Sequence, residues 1–572
     1  MKKNIITIIT IGMLAGLTLD SCTKVLNKPN LSVYSSETVW TSEPETSAYL
    51  NNIYSMEMPG WTFNGSASDE ATDGSAGMSS YLKGIATVDS YDAYSYTAID
   101  AINLFLSKID GTPYPDKNQL KGQALFWRAW AYFNMVQAYG GVPLILQVQD
   151  NNNIPSLFVK RNKSSECFTQ MEKDLTDAAS MLPDSWGSAG YGRIDKGAAL
   201  AFLGKVEMWW ASPLFNPTND PSRWQAAYTA TKAANDYLVS QGKGLYPSYG
   251  GIWYNKGNSE IVMVNQYFAP DHYGDNAPIR PEGITEDDFG HNQATLALAN
   301  AYPMKDGSVF NPSKPLAYDT LFKYRDDRFY ATLAYNGSVY NTADFTNGAK
   351  IWTGYEANGY SLETLFITSP VPNRSGFWQV KGIDHSLNKQ SVHMATIDWI
   401  VMRYAEVLMN YGECANEIGH SAEALQVLYA IRKRANILPG SAGTYGVTAT
   451  STSDIRQAYI NERFVEFAFE GLRWNDLRRW RRFDILNTEQ TRSAIHMMLK
   501  PGAPIPVVSA DITDPAVWGT FTPQVIANIE DPSAIFNLPD KLYFYAIPAR
   551  HLNANPNLQQ NNNWGGTFDP LQ

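Results

Sequence analysis

The sequence predicts a mostly α-helical fold, in which tetratricopeptide-like helical pairs form a scaffold that carries long loops and a few short strands. Apolar residues recur at three- and four-residue steps in the N-terminal third and again between residues 398 and 482. One antiparallel pair at the start of the second part has the length of a tetratricopeptide unit, about 35 residues, although the consensus of that repeat is absent. From Gly242 to Ile397 glycine, proline, asparagine and tyrosine dominate, which indicates loops and short strands.

Composition restricts the classes of function. The chain has 572 residues, of which 44% are hydrophobic and 13% aromatic, so it can bury a large core and still expose rings for recognition. Its net charge is −11 and no run of basic residues would follow a phosphate backbone, which argues against nucleic acid as a partner. The seven histidines show no H-E-x-x-H spacing and the three cysteines form no C-x-x-C pair, so we expect neither a zinc site nor a cofactor. Cys167 and Cys414 fit buried thiols in helices, with a disulfide between them as the alternative.

The N-terminus has the pattern of an export signal. Lys2 and Lys3 precede an apolar run, "IITIITIGMLAGLTL", which is shorter than the roughly 20 residues of a membrane-spanning helix. The following "LDSC" resembles a bacterial lipoprotein signal, in which the cysteine thiol is lipidated, although Asp20 departs from that pattern. We predict a signal peptide at 1–21, lipidation of Cys22 and a lipid-anchored tether at 22–45. The alternative is an ordinary signal peptide followed by a chance cysteine.

Helical patterning continues from the tether through the N-terminal third. A helix is predicted from Thr46 to Met58, and a Gly/Ser-rich loop from Trp61 to Gly84 separates it from the helices that resume near Tyr91. The segment "ALFWRAWAYFNMVQAYGGVPLI", Ala124 to Ile145, ends in glycines and a proline, as a helix does at its C-terminus. Further helices are predicted at 164–183, 196–213 and 223–240.

The aromatic rings of the segment from Ala124 to Ile145 admit two interpretations, a ligand-binding surface or the inside of a helical core. Two neighbouring apolar stripes cover most of its circumference: Leu125, Ala129, Tyr132 and Val136, and Phe126, Trp130 and Phe133. Because a helix that is apolar over most of its circumference is buried, we predict that these rings belong to the scaffold.

Helices are predicted to return at Asp398 and to form an antiparallel pair around the turn at 419–421. One apolar face runs from Ile400 to Ile418, and a facing stripe is formed by Leu425, Leu428 and Ile431. The next helix has Ser453 or Asp454 as its predicted N-cap and Gly471 as its C-cap. The tail from Lys500 onward is predicted to be irregular.

Several blocks of sequence resemble one family, the SusD/RagB outer-membrane nutrient-binding lipoproteins of Bacteroidetes. They occur in family order over nearly the whole chain: "RAWAYFNMVQAYGGVPL" (128–144), "GRIDKGAALAFLGKVEMWWA" (192–211), "NAYPMKDG" (300–307), "YRDDRFYATL" (324–333), "WIVMRYAEVLMNYGECANE" (399–417), "IRKRANI" (431–437), "NERFVEFAFEGLRWNDLRRW" (461–480) and "YAIPARHLNANPNLQQN" (545–561). Each block alone is weak, but together they are specific.

The resemblance implies both a fold and a role. The fold would be a single SusD-like domain at 46–572, with an N-terminal helical part at 46–241 and a C-terminal part at 242–572. The role would be non-catalytic capture of a glycan or oligosaccharide at the cell surface, with a lipid anchor in the outer membrane. The protein would deliver its ligand to a partner, a SusC-like TonB-dependent transporter, on which it would sit as a lid.

The arginine-rich segment between Arg473 and Arg482 also admits two interpretations. It could be a binding site for an anionic ligand, or its arginines could form ion pairs with carboxylates and lock helices together, which we favour. Arg403 and Glu406 are possible partners of this segment. The "YRDDRF" block, with Arg325, Asp326, Asp327 and Arg328, is interpreted in the same way.

Glycan-binding side chains are expected in loops, because a sugar needs exposed rings for stacking and polar groups for its hydroxyls. The family marks its ligand residues with no motif, so candidates come from three loop segments. They are Trp61, Asn64, Asp69 and Tyr81 in the first; Tyr267, His272, Tyr273, Asp275 and Arg280 in the second; and Trp352, Tyr355, Tyr360 and Trp378 in the third. The "DHYGDN" segment could alternatively hold Ca²⁺ through Asp271, Asp275 and Asn276.

Two other functions remain open at this point. A glycoside hydrolase would need two carboxylates about 5–10 Å apart in a cleft, and the sequence has many acidic residues. A peptide- or protein-binding scaffold would fit the helical array, because tetratricopeptide-like repeats present extended binding surfaces. The family blocks favour glycan binding without catalysis over both.

Overall fold

The computed structural model describes residues 38–62, 65–74, 77–281, 290–340, 342–343, 350–362, 373–507 and 509–572. The predicted signal peptide, Cys22, most of the predicted tether and Asn64 lie outside these residues. Within them, no helix has both the length and the apolar character that crossing a membrane requires.

The described residues of the N-terminal part form seven helices, which pack as a layered array. Within it α1 and α2 both pack on α3, α3 packs on α5, α5 on α6 and α6 on α7. The helices are α1 (Glu43–Glu57), α2 (Thr97–Ile109), α3 (Lys117–Tyr139), the single turn α4 (Ile154–Leu157), α5 (Ser164–Met181), α6 (Lys196–Ala211) and α7 (Pro221–Ser240).

Helix α3 is the centre of this part. Phe126, Trp127 and Tyr132 are fully buried, and Trp130 is 8% exposed, which confirms that these rings are scaffold. The Trp130 ring lies 4.7 Å from the ring of Phe202 on α6. The helix ends at Gly140, whose φ of 76° is unfavourable for other residues.

The remaining helices lie within and after the long irregular region. They are α8 (Leu296–Ala301), α9 (Tyr318–Leu321), α10 (Asp327–Thr332), α11 (Tyr404–Glu417), α12 (Ser421–Arg434), α13 (Thr452–Glu466), α14 (Arg473–Arg479), α15 (Phe483–Glu489), α16 (Pro515–Trp518) and α17 (Ala549–Ala554). Helices α11, α12 and α13 pack on one another and form the second part of the array. Short 3-10 turns lie at Thr38–Trp40, Gly65–Ala67, Ser188–Gly190, Ala277–Ile279, Val392–Met394, Asp540–Tyr543 and Asn562–Trp564.

The two parts of the array are joined where α7 packs on α11. The Tyr404 hydroxyl donates to Oδ1 of Asn235 at 2.9 Å, and the rings of Tyr228 and Tyr411 lie 5.8 Å apart. Helices from before and after the irregular region therefore continue one another in a single helical scaffold, as predicted.

Within the described ranges, ten short strands form two-stranded antiparallel ribbons. They are β1 (Ala71–Thr72) with β3 (Gln293–Ala294), β2 (Ile261–Asn265) with β8 (Trp399–Arg403), β4 (Leu333–Tyr335) with β7 (Phe377–Gln379), β5 (Ser338–Val339) with β6 (Lys350–Ile351), and β9 (Ala494–Leu499) with β10 (Phe521–Ile526). Strand β8 corrects the prediction that a helix begins at Asp398, since the helix begins at Tyr404. Strand β10 likewise corrects the prediction that the tail is irregular.

The ends of α13 also differ from the prediction. Its N-cap is Ser451, whose hydroxyl accepts a hydrogen bond from the Asp454 backbone N–H at 3.1 Å, and its C-cap is Phe467. Ser451 directly precedes the first helical residue, so its hydroxyl can accept from the N–H groups of the first turn, whereas Ser453 and Asp454 already lie inside the helix.

A largely buried network of charged side chains joins the C-terminal helices to the irregular region. Glu466 of α13 accepts from Arg328 at 2.8 Å, from Arg403 at 2.7 Å and from Arg434. The network contains five basic and five acidic side chains: Arg328, Lys381, Arg403, Arg432 and Arg434, with Glu260, Asp326, Glu462, Glu466 and Glu470. It confirms that the "YRDDRF" arginine Arg328 fixes neighbouring segments to one another.

The segment from Arg473 to Arg482 is for the most part a set of ion pairs. Arg473 pairs with Asp69, Arg479 with Glu413 and Asp476, Arg481 with Asp540, and Arg482 with Asp484. The suggested partners of this segment were wrong, because Arg403 pairs with Glu260, Glu466 and Glu470, and Glu406 pairs with Lys205. Cys167 and Cys414 are both buried and free, so no disulfide joins them.

Candidate functional site

Six of the candidate ligand residues are buried, among them Asp69, which is 2% exposed, and Tyr355, which is 8% exposed. Trp352 and Trp378 are each 1% exposed, Arg280 is fully buried, and Tyr267 is 7% exposed. The prediction that they are displayed in loops was therefore wrong. Trp378 lies in β7, and Trp352 directly follows β6. Each ring belongs to a cluster of buried apolar residues, so both rings face inward.

Trp61 also has a structural role. Its indole N–H donates to the carbonyl oxygen of Ile397 at 3.2 Å, and its ring lies 4.9 Å from the ring of Trp399. A ring that is half-buried and held on both its edge and its face offers little surface for stacking on a sugar.

His272 lies in a wide surface groove of about 580 Å³ between α1 and β2. Its ring stacks on Tyr267, with ring centroids 4.4 Å apart, and Phe268 beside it is 43% exposed. The polar side chains of this groove are held by its own walls: Arg193 donates to Asn51 at 3.1 Å, and Asn265 donates to the Pro59 carbonyl at 3.0 Å.

Tyr273 and Asp275 do not line this groove. Asp275 accepts a hydrogen bond from the Ala277 backbone at 2.9 Å and pairs with His393 at 3.0 Å, so it closes a local turn. Among the residues that the model describes, no group of three or more His, Cys, Asp or Glu side chains has an arrangement that could hold a metal ion.

Tyr81 lines a second surface pocket, which we call the aromatic pocket, with a volume of about 340 Å³. It lies where the loop before α2, helices α3 and α14 and the segment before α17 meet. Its lining residues are Ala67, Ser79, Ser80, Tyr81, Leu82, Ser90, Tyr91, Gln137, Ala138, Trp474, Asn475, Arg478 and Tyr545.

The rings of the aromatic pocket are arranged around Tyr545. Tyr91 is stacked on Tyr545 with centroids 3.9 Å apart, and Tyr81 meets the same ring edge-on at 4.7 Å. Trp474 donates its indole N–H to the Tyr545 hydroxyl at 2.7 Å. Tyr91 is 39% exposed and Tyr545 is 5% exposed, so Tyr91 forms the rim and Tyr545 the floor.

Polar groups lie beside these rings. Burial raises the pKa of Tyr91 to about 12 and also raises the pKa of Tyr81, so both hydroxyls stay protonated at neutral pH. Neither hydroxyl is hydrogen-bonded to another described residue. The amides of Gln137 and Asn475 complete the lining and are half-buried. The pocket therefore presents flat rings together with hydroxyl and amide groups that can donate and accept hydrogen bonds, which is what a sugar requires.

Most of the side chains that form this pocket were not predicted as ligand residues. Trp474 and Asn475 lie within the arginine-rich segment, whose charged residues predict ion pairs. Tyr545 lies in one of the blocks that resemble the family. Helices are predicted to resume near Tyr91, whereas α2 begins at Thr97. The one local signal of this pocket in the sequence is an aromatic residue followed by an amide, Trp474-Asn475.

The aromatic pocket is the better candidate for a sugar-binding site. It offers four rings, and the hydroxyls of Tyr81 and Tyr91 bond to no other described residue, whereas Arg193 and Asn265 of the groove at His272 already donate to Asn51 and to the Pro59 carbonyl. Of the candidates predicted from the loops, Tyr81 is placed in the aromatic pocket and His272 in the groove, so the structure does not bring the two together.

Comparison with known families gives two matches, which together span most of the chain. A model described as the SusD family matches residues 249–564, which is more than half of the chain. A second, described as starch-binding and associating with outer membrane, matches residues 34–208.

Two curated relatives come from Formosa agariphila. SusD-like protein P2 is 23% identical over 501 residues, 84% of this chain and 91% of that protein. SusD-like protein P38 is 23% identical over 400 residues, 67% and 70% of the two chains.

Solved structures share the fold. A SusD-like protein from Bacteroides fragilis superimposes with a TM-score of 0.73 at 23% identity, over 93% of this chain and 99% of that one. A SusD-like carbohydrate binding protein from the same species gives 0.71 at 23% identity, over 91% and 99%. A laminarin binding SusD-like protein gives 0.60 at 21% identity, over 91% and 99%. The predicted helix-rich fold and the resemblance are confirmed.

Proposed function

Because the chain belongs to the SusD family, we propose that it binds a glycan at the cell surface and delivers it to a transporter of the outer membrane. The aromatic pocket is the observation that supports this proposal most directly. It combines four rings with hydroxyl and amide groups in a volume of about 340 Å³, large enough for part of an oligosaccharide. The names of structural relatives, carbohydrate binding and laminarin binding, support the same class of ligand.

The proposed attachment is a lipid on Cys22, after removal of residues 1–21. Residues 22–45 would form the tether, and residues 46–572 a single SusD-like domain. The family description that includes association with the outer membrane supports this location. A lipid anchor would hold the pocket close to the membrane, where an imported ligand is needed.

The proposed partner is a SusC-like TonB-dependent transporter in the outer membrane, with this protein as its lid. This part of the proposal follows from the family. It is tested by purifying the tagged protein from detergent-solubilised outer membranes: a barrel transporter encoded beside it should co-purify, and its absence would contradict the partnership.

Binding without catalysis fits the chemistry of the aromatic pocket better than hydrolysis does. The described residues that line the pocket include no aspartate or glutamate, whereas hydrolysis of a glycoside usually needs two carboxylates. A peptide-binding scaffold remains the other alternative, but the pocket is compact and lies at one end of α3, not along an extended face of the array.

The proposal is tested by measuring glycan binding to Tyr91→Ala by isothermal titration calorimetry. Tyr91 lies at the rim and is 39% exposed, so we expect the variant to fold normally and to bind at least about tenfold more weakly, roughly 1.4 kcal/mol. Tyr324→Ala is the matched control, because Tyr324 is 64% exposed and lies outside the pocket. Equal affinity of the two variants would show that the glycan binds elsewhere.

A further inference from the structure

The aromatic pocket contains one charged side chain among the described residues that line it, Arg478. This arginine is only 1% exposed. It donates from Nη2 to the carbonyl oxygens of Gln137 at 2.7 Å and Tyr543 at 2.8 Å, and its guanidinium lies 4.5 Å from the centre of the Tyr545 ring. Arg478 thus forms part of the pocket floor.

Arg478 differs from the other arginines of its segment in its electrostatic balance. Arg473, Arg479, Arg481 and Arg482 each pair with a carboxylate, whereas no carboxylate of the described chain lies within 4.0 Å of Arg478. The two carbonyls and the Tyr545 ring satisfy donors and stabilise the cation in part, but they do not supply a negative charge. Buried arginines are usually paired, so this one is an exception.

One nitrogen of Arg478 is also poorly bonded. Nη1 makes a single hydrogen bond, to Oδ1 of Asn475, and its length of 3.5 Å is at the limit for such a bond. Asn475 lines the pocket as well. A ligand group that accepts hydrogen bonds at this position would therefore meet a donor that the protein itself leaves nearly unused.

We propose, resting on the glycan-binding function above, that the aromatic pocket selects an acidic saccharide, whose carboxylate or sulfate ester pairs with Arg478. Either group would supply the missing negative charge and accept a strong hydrogen bond from Nη1. The rings of Tyr91 and Tyr545 would hold the adjoining sugar. Since the whole chain has a net charge of −11, selection depends on the local charge of the pocket and not on the charge of the protein.

The sharpest test is Asn475→Asp. This nearly isosteric change places a carboxylate about 3.5 Å from Nη1 of Arg478, so the protein supplies the counter-charge itself. The contacts of Arg478 with Gln137 and Tyr543 stay in place, and we expect the melting temperature to be maintained or raised. Gln457→Glu is the matched control: Gln457 also accepts from an arginine, Arg482 at 3.4 Å, but does not line the pocket.

The ligands are chosen in pairs that differ only in charge. One pair is trigalacturonate and its methyl ester, and the other is a sulfated galactose oligosaccharide and its desulfated form; binding is measured by calorimetry at pH 7 and low salt. We expect the wild type to bind at least one acidic member about tenfold more tightly than its neutral counterpart, and Asn475→Asp to remove that preference. Whichever pair shows the preference identifies carboxylate or sulfate.

The outcomes separate this inference from the proposed function. If the wild type binds neutral oligosaccharides as tightly as acidic ones, and Tyr91→Ala weakens that binding, the glycan site stands and the selection of acidic saccharides is wrong. If Asn475→Asp keeps the preference for an acidic ligand, Arg478 is not its partner and the inference is also wrong. If no oligosaccharide of either kind binds, both proposals fail.

Discussion

Replacing Glu466 by glutamine should destabilise the fold more than any change of a single surface charge. The carboxylate is fully buried and accepts from three arginines, within a network in which five positive charges balance five negative ones. Glutamine keeps the shape, but it removes one charge and turns its amide nitrogen toward a guanidinium that also donates. Two donors then face each other with no acceptor between them.

The magnitude follows from the burial of the network. At an effective dielectric constant of about 20, each charge pair at about 4 Å contributes roughly 4 kcal/mol of attraction, and desolvation of the carboxylate offsets much of the sum. Removing one partner of a buried pair leaves the other uncompensated and typically costs about 3–5 kcal/mol. A loss of that size is a large fraction of the stability of an ordinary domain, about 5–15 kcal/mol.

The assay is urea unfolding followed by tryptophan fluorescence, with Lys232→Gln as the control. Lys232 pairs with Asp236 at 2.6 Å, but both side chains are exposed, so its loss should cost less than about 1 kcal/mol. Glu466→Gln should lower the midpoint urea concentration clearly, and the control should not. A decrease as small as that of the control would refute the argument, because it would mean that water screens the network.

The acid dependence of the same variant gives a second measurement. Burial alone would raise the pKa of Glu466, but Arg434, Arg403 and Arg328 outweigh it and hold the pKa well below its ordinary value of 4.5. A group with a lowered pKa stabilises the fold above the unfolded value, and that contribution is lost as the pH falls toward the folded value. The difference between wild type and Glu466→Gln should therefore shrink as the pH is lowered from 5 to 3.

Two further results are expected. Trp130→Ala should destabilise the protein by about 3–5 kcal/mol in the same urea assay, because it opens a cavity against Phe202 in the core of the N-terminal helices; a neutral result would show that the core closes around the gap. Cys22→Ala should move the protein from the membrane fraction to the soluble fraction after cell lysis. If the variant remains in the membrane fraction, the lipid-anchor proposal is wrong.

The helical array could be predicted because its signal is periodic and long. Helix α3 spans 23 residues and buries most of its circumference, and its apolar stripes are evident in the sequence. Strand β8 was missed for the opposite reason. Its five residues are all apolar except Arg403, and they lead directly into α11. So short an apolar run shows no alternation that would distinguish a strand from the first turn of the helix.

The candidate site was less predictable, because exposure depends on tertiary contacts. Trp352 and Trp378 lie in a Gly- and Asn-rich stretch that suggests open loops, yet both are covered by neighbouring ribbons. Trp474 and Arg478 share the short helix α14 with Arg473 and Arg479, which lie in ion pairs. The composition of this segment predicts ion pairs for all of its arginines, although successive residues of a helix face different surroundings.

The contact between α7 and α11 has a consequence for how the chain folds. Adjoining helices of the array are separated by the 163 residues from 241 to 403. Bringing the ends of so long a segment together costs about 4–5 kcal/mol of chain entropy before any contact at the junction is made. Until the later helices arrive, the face of α7 that carries Tyr228 and Asn235 has no cover. We therefore expect folding to be slow relative to that of uninterrupted helical repeats, with a partly assembled species that is prone to aggregate through this face.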